Sequence, residues 1–415
     1  LTPGSCLTLD CDSLAFNTKQ YWKPPARSHK KKPITNLAPK LTDLLFSSVE
    51  KTLISDVPVG VLLSGGLDSS LITAIASRIT PNLKTFSVSF SDHLGFDESE
   101  HSRNISKHFK TDHLELNASN ITAKKFEYLA SNFDLPIGDT SVIPTYVLSE
   151  EVAKYCKVVL GGDGADELFG GYHRYAQIEK FHAYSMHLPK AIQTTLVYLA
   201  NQFPVGVKGR QWIKLLDNIA HNQIRNPSIF FDLADQSNLL KNFNGEINHL
   251  FQDDCFTFEL GEIINSLAEI DFHNYLPNDI LLKVDRSSML HSLEVRAPFL
   301  CKDIVEFSFE HLSSDKKIRN GQKKYLLNEV AKKILPSDFE FHRKQGFSFP
   351  FNSMLKEKEW NELFKKYMYS DASSFRAEFI VGLRSNHLKI KNNSERLFLL
   401  LFFEIWKQNN LNLNQ

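Results

Sequence analysis

Residues 59–70 read Val-Gly-Val-Leu-Leu-Ser-Gly-Gly-Leu-Asp-Ser-Ser, an unbroken apolar run that gives way to a glycine pair and then to hydroxyl and carboxylate side chains. An apolar run without polar alternation is typical of a parallel strand buried on both faces. Gly65 and Gly66 let the backbone come close to an anion, and the amides opening the following helix favour negative charge there. Ser64, Ser69 and Ser70 add hydroxyl donors, and Asp68 suits a metal riding on phosphates. The spacing is not G-x-x-x-x-G-K-[ST], which disfavours γ-phosphate transfer, and Leu67 and Asp68 break G-x-G-x-x-G. Taken alone, the same residues would also make a tight strand-to-helix turn with a capping Asp and Ser.

Outward from this loop the pattern alternates. Leu41, Leu44, Leu45, Val49 and Leu53 have helical spacing before the strand, and a helix is predicted after it through Leu71–Ile79. Strands are predicted at Thr85–Phe90, around His113–Leu116 and at Val158–Leu160, with helices near Glu98–Phe109, Ala123–Ser131 and Tyr146–Tyr155. Strands alternating with helices predict a doubly wound, mostly parallel α/β sheet. After about residue 175 the strand signal fades and helical patterns dominate. The expected organisation is therefore short β-like pieces over residues 1–22, a linker over 23–40, an α/β core over 41–175 and a helical part over 176–415. The linker holds four prolines and the basic run from Arg27 to Lys32, which reads as solvated because no aromatic residues interleave it.

A second glycine-rich stretch, Gly161-Gly162-Asp163-Gly164-Ala165-Asp166-Glu167-Leu168-Phe169-Gly170-Gly171-Tyr172, directly follows the strand ending at Leu160. Ligands of open parallel sheets collect beyond the carboxyl ends of the strands. Both loops lie there, so they can face one pocket. The carboxylates Asp163, Asp166 and Glu167 repel one another unless a metal or cationic ligand offsets them. By itself the stretch could be a surface turn with solvated acids.

Composition removes other classes. Of 415 residues, 48 are Lys or Arg and 48 are Asp or Glu, so the basic excess of a general nucleic-acid or membrane-surface binder is missing. With 42% apolar residues the chain can build real cores. Five cysteines, widely spaced and without C-x-x-C, argue against a disulfide scaffold or zinc ribbon and for a reducing compartment. The longest apolar run, between Arg396 and Glu404, is far short of the ~20 residues that cross a bilayer. The opening LTPGSC lacks a basic n-region and apolar h-region, so no signal peptide is expected there, and the cysteine pattern makes a cytoplasmic location the expectation. Fifteen histidines show no H-E-x-x-H, and G-x-S-x-G is absent, so zinc-protease and hydrolase-elbow readings fail. The 32 phenylalanines are expected in the core.

With both loops in hand, the sequence resembles the asparagine synthetase-like enzymes, whose synthetase half has an ATP-pyrophosphatase (adenine nucleotide α-hydrolase-like) fold. The resemblance rests on SGGLDSS and GDGADELFGGY and on Phe96–Ser99, Asp139–Ser141 with Pro144, Lys283–Met289, Leu293–Leu300 and Arg343–Phe347, and it runs from about Pro3 to Trp406. It implies that ATP is cut between its α- and β-phosphates, that a substrate carboxylate becomes an acyl-adenylate, and that ammonia displaces AMP. Carried over, the loop Ser64–Ser70 (Ser64, Gly65, Gly66, Asp68, Ser69, Ser70) holds pyrophosphate, and Leu62, Val88 and Gly162 contact adenosine. Asp68 and Asp166 match the Mg²⁺ ligands, Lys344 matches the catalytic lysine, and Lys324 is expected to face phosphate. Asp163 stands where well-known members carry Glu and is read as catalytic, its shorter side chain leaving the role open. The Asp285-Arg286 pair has two readings, a structural ion pair or a functional one.

The substrate implied is a small carboxylate, most simply aspartate, with ammonia as nitrogen donor. A sugar uronate or a peptide side chain is the alternative, and a silent nucleotide-binding scaffold is a third reading, disfavoured by intact Asp68, Asp166 and Lys344. Glutamine-using members begin with a domain whose nucleophile is an N-terminal Cys. Residue 1 here is Leu, and Cys6 has no free α-amine. The opening stretch resembles the last strands of that domain, so a glutaminase domain is expected upstream or in trans, and this chain alone is not expected to hydrolyse glutamine. No nucleic-acid or membrane partner is expected, and a homodimer is among the assemblies left open.

Overall fold

The computed structural model describes residues 1–25, 36–89, 99–117, 122–185, 187–202, 261–341, 351–387 and 392–411, with short pieces between 213 and 257. The chain opens with an antiparallel hairpin, β1 (Ser5–Leu9) and β2 (Phe16–Gln20). Helix α1 (Leu37–Leu53) then leads into β3 (Val59–Leu62), α2 (Leu67–Ile79) and β4 (Lys84–Ser89). α3 (Ser99–Phe109), β5 (Asp112–Asn117), α4 (Ala123–Asn132), α5 (Val142–Val152), β6 (Val158–Leu160) and α6 (Ala165–Phe169) follow. The elements predicted between residues 41 and 160 are therefore present, within a few residues at their ends. α5 begins four residues earlier than predicted, with Pro144 in its first turn, where a missing amide hydrogen is tolerated.

The sheet is parallel throughout, in the order β5-β4-β3-β6 followed by a fifth strand, Glu294–Arg296. That last strand corrects the reading that strands end near residue 175. It pairs in register with β6, Val295 opposite Val159. Three residues with charges at both ends carry no apolar run, so nothing local announced it. It is an edge strand, and its Arg296 turns back to donate to the Thr52 and Ile54 carbonyls at the C-terminal end of α1.

Side chains alternate across the sheet as the pleat demands. Val61 and Leu160 join Leu41, Leu45 and Val49 of α1 and Ile72 and Ile75 of α2 in one core. Phe86, Leu116 and Val159 face the other way, against Val152 of α5 and Leu293. Helices thus cover both faces, the doubly wound α/β arrangement expected. From β3 the chain first steps outward through β4 and β5, then crosses to β6 on the other side. That reversal opens a crevice between the carboxyl ends of β3 and β6.

A second core lies in the C-terminal part. The run after Arg396 is the middle of a helix, Ser394–Asn410, packed on α4. The ring of Phe126 stands 5.3 Å from Trp360, 5.5 Å from Phe398 and 5.9 Å from Phe402, all fully buried. These aromatics are core, as expected. Among the described residues, no helix is long and apolar enough to cross a membrane. The basic run from Arg27 to Lys32 lies outside the described residues.

Candidate active site

The crevice between β3 and β6 is a cavity of about 550 Å³, within the range of small-molecule sites. Leu62, Ser64, Gly65, Gly66, Asp68, Ser69, Val88, Gly162, Asp163, Asp166 and Lys324, all named from the sequence, line it. Ser70 does not: one turn into α2, it is fully buried, and its backbone amide donates to the Gly66 carbonyl. Lys344 lies outside the described residues.

The first loop is folded on itself by its serines. The Ser64 amide donates to Ser69 Oγ at 3.2 Å, the two hydroxyls are 3.0 Å apart, and the Gly66 amide donates to Ser64 Oγ at 3.3 Å. Gly66 caps α2 without a side-chain hydrogen bond, so the helix opens toward the cavity with its N-terminus, the end that favours negative charge. Gly65 has φ +76°, and a Cβ there would press within 2.7 Å of His101 Cβ, so only glycine suits the turn. The second loop abuts the first: a Cβ on Gly162 would stand 3.1 Å from the Cβ of Asp68. The two glycine loops therefore face one site.

Lys324 closes that site from the helical part. Its ammonium contacts Asp68 Oδ2 at 2.5 Å and Asp166 Oδ1 at 2.7 Å, and the residue is 6% exposed. Burial works against its charge, but Asp166 and Asp68 more than offset it and hold the pKa above the ordinary lysine value. Burial pushes the Asp163 carboxyl above its usual range, with Asp68 and Asp166 pushing further and Lys283 opposing. Lys283 is itself buried and donates to Asp139 Oδ2 at 2.6 Å and Ser141 Oγ at 2.8 Å. His101, Lys283, Tyr172, His173 and Lys323 line the cavity without having been named as site residues. Lys283 and Tyr172 sit inside stretches already singled out, Lys283–Met289 and Gly161–Tyr172. The Asp285-Arg286 pair is structural: Arg286 makes two further bonds to Asp134, at 2.9 and 2.8 Å, and neither member lines the cavity.

Glu167 supplies a pH signature. It is 2% exposed, accepts from Tyr172 Oη at 2.6 Å, and burial pushes its pKa up from 4.5 to about 7. The folded state thus holds a proton that the unfolded state releases above about pH 4.5, so this group's stabilising contribution is full below that value. It is lost as pH rises through about 7. Glu167→Gln is expected to remove that slope, flattening the thermal midpoint between pH 4.5 and 7 and raising it at pH 8 relative to wild type. Melting curves over a pH series check this, and an unchanged slope would refute it.

The donor set fits a magnesium nucleotide. Carboxylate oxygens are hard ligands, and Lys324 already shows that a cation can sit against both Asp68 and Asp166. Among the described residues no group of three or more His, Cys, Asp or Glu side chains is arranged to hold a metal alone. Two carboxylates completed by phosphate oxygens and water is the usual manner of Mg²⁺.

A parallel sheet with two glycine loops and a lysine-bridged carboxylate pair at its topological switch places the chain in the doubly wound α/β class, whose ligands bind in this crevice. The asparagine synthase family pattern matches residues 40–408, and the chain belongs to that family. It is 30% identical to asparagine synthetase [glutamine-hydrolyzing] 1 of Bacillus subtilis, over 99% of this chain and 65% of that protein. It is 27% identical to a putative asparagine synthetase [glutamine-hydrolyzing] of Mycobacterium tuberculosis, over 98% and 63%. A putative asparagine synthetase [glutamine-hydrolyzing] 2 of Methanocaldococcus jannaschii is 31% identical over 68% of this chain and 55% of its own length. The chain thus spans somewhat less than two thirds of the length of these relatives.

Proposed function

We propose that this chain is an ATP- and Mg²⁺-dependent amide-forming synthetase. It would convert a carboxylate, most simply aspartate, to its amide through an acyl-adenylate, with release of pyrophosphate and AMP. The observation that carries the reading is the meeting of both glycine loops with Lys324, Asp68 and Asp166 in one cavity at the carboxyl end of the sheet. In this reading the Ser64–Ser70 loop binds the pyrophosphate end through amides and hydroxyls. Leu62, Val88 and Gly162 contact adenosine. Asp68 and Asp166 hold Mg²⁺, which supplies charge neutralisation on the phosphates.

The chemistry has two displacements. A carboxylate oxygen of the substrate attacks the α-phosphorus and pyrophosphate leaves; ammonia then attacks the acyl carbon, AMP leaves, and the nitrogen loses a proton. Lys324 and Lys344 would stabilise the negative charge that develops at each stage. The raised pKa of Asp163 supports a role in accepting the proton from nitrogen.

The names of the relatives support glutamine as the ultimate nitrogen source, through a glutaminase domain upstream or in trans. The hairpin β1–β2, whose Leu7, Leu9 and Phe16 side chains are exposed, would belong to that junction. The test is pyrophosphate release with Mg-ATP, ammonium and a panel of carboxylates: aspartate, a sugar uronate and an acidic peptide. Release that depends on aspartate, with asparagine as product, is the expected result. Release with another carboxylate would keep the mechanism and change the substrate, and none with any of them would overturn the proposal.

A further inference from the structure

We propose that Lys324 is a stand-in cation: its ammonium holds Asp68 and Asp166 together in the nucleotide-free protein and leaves them for the phosphates when a divalent cation and ATP arrive. This rests on the function proposed above and adds an exchange to it. The present contacts occupy one oxygen of each carboxylate on which that function depends, at 2.5 and 2.7 Å. An ammonium and a divalent cation cannot both occupy the position against those two oxygens, so one must give way to the other.

Charge decides the direction. One lysine against two aspartates leaves the trio with one uncompensated negative charge. A doubly charged cation balances the two carboxylates and leaves the ammonium to a polyanion, so both exchanges lower the electrostatic energy together. Without any cation, the two carboxylates facing one cavity would repel one another. Lys324 holds them against that repulsion.

The local structure allows the side chain to move while its root stays fixed. Lys324 sits in the left-handed region, φ 52° and ψ 39°, at the cap of the helix Tyr325–Ala331, and its carbonyl accepts from the Asn328 amide at 2.8 Å. Its flexible stem carries a compact point charge, unlike the rigid fork of arginine. Gly171 leaves space beside that stem, since a Cβ there would lie 2.4 Å from Lys324 Cε.

The experiment is Mn²⁺ binding, read by electron paramagnetic resonance and by thermal midpoint, with and without ATP, on the wild type and on Lys324→Met. Wild type is expected to take up Mn²⁺ poorly without nucleotide and to gain in midpoint only with Mn²⁺ and ATP together. Lys324→Met is expected to bind Mn²⁺ alone at least about tenfold more tightly than wild type, a gain that a merely structural lysine would not produce. Equal or weaker Mn²⁺ binding in the variant overturns the stand-in role. Should the variant not fold, the wild type still decides: a midpoint rise with Mn²⁺ alone as large as with Mn²⁺ and ATP overturns it. A wild type that responds to neither overturns the nucleotide reading itself.

Discussion

Gly171→Ala is expected to lower ATP-dependent pyrophosphate release by about 10³-fold or more while leaving the fold intact. The added Cβ would fall 1.5 Å from Asp166 Oδ1 and 2.4 Å from Lys324 Cε, separations that no pair of heavy atoms tolerates. Both neighbours are ends of flexible side chains, so the collision is relieved by displacing them rather than by unfolding the backbone. A shift of that kind in a packed region costs about 1–3 kcal/mol of stability. What is lost is the arrangement: Asp166 is pushed off Lys324, and Lys324 leaves its contact with Asp68. Loss of one preorganised charged group commonly slows turnover by about 10²–10³-fold, and here two are disturbed by one methyl group. A single-turnover pyrophosphate assay beside a melting curve checks both halves. Turnover at the wild-type level in a folded Gly171→Ala protein would show that Asp166 and Lys324 do not serve the reaction.

The second large effect is expected at Lys344. It stands in Arg343–Phe347, a stretch that the resemblance singles out and that lies outside the described residues. An ammonium fixed against the α-phosphate would stabilise charge in both displacements, and its removal is expected to reduce turnover by about 10²–10³-fold. Lys344→Ala should retain the thermal midpoint and ATP binding and lose mainly kcat, because the stabilisation belongs to the transition state rather than to the bound nucleotide. A variant with unchanged kcat would remove Lys344 from the mechanism.

The site was legible where chemistry is carried by backbone. The loops at Ser64–Ser70 and Gly161–Tyr172 stand out as a pair: each alone also reads as a turn, but two glycine loops after buried strands point to one ligand, and the structure sets them against one cavity. Lys324 is different: nothing in its own surroundings, Gly321-Gln322-Lys323-Lys324, signals an anion site. Its contact with Asp68 depends on a chain reversal that no local pattern encodes, and only the family resemblance pointed to it. His101 and Lys283 were missed for the same reason, each brought to the cavity by packing. Ser70 differs from its loop neighbours: the motif includes it, but the helix turn carries its side chain inside, away from the cavity lining. The strand at Glu294–Arg296 could not be read from three residues, two of them charged, because its identity lies in its pairing with Val158–Leu160.

That late strand bears on how the protein is made. On the ribosome, β6 would be finished long before its neighbour Glu294–Arg296 is synthesised, leaving Val158–Leu160 as a bare apolar edge during translation. The cavity, lined by Val295 and Lys324, can mature only after most of the polypeptide has emerged. Pairing over such separation makes assembly slow and leaves the nascent intermediate open to aggregation. The Arg296 guanidinium, once it reaches the Thr52 and Ile54 carbonyls, is the latch that marks completion of the sheet.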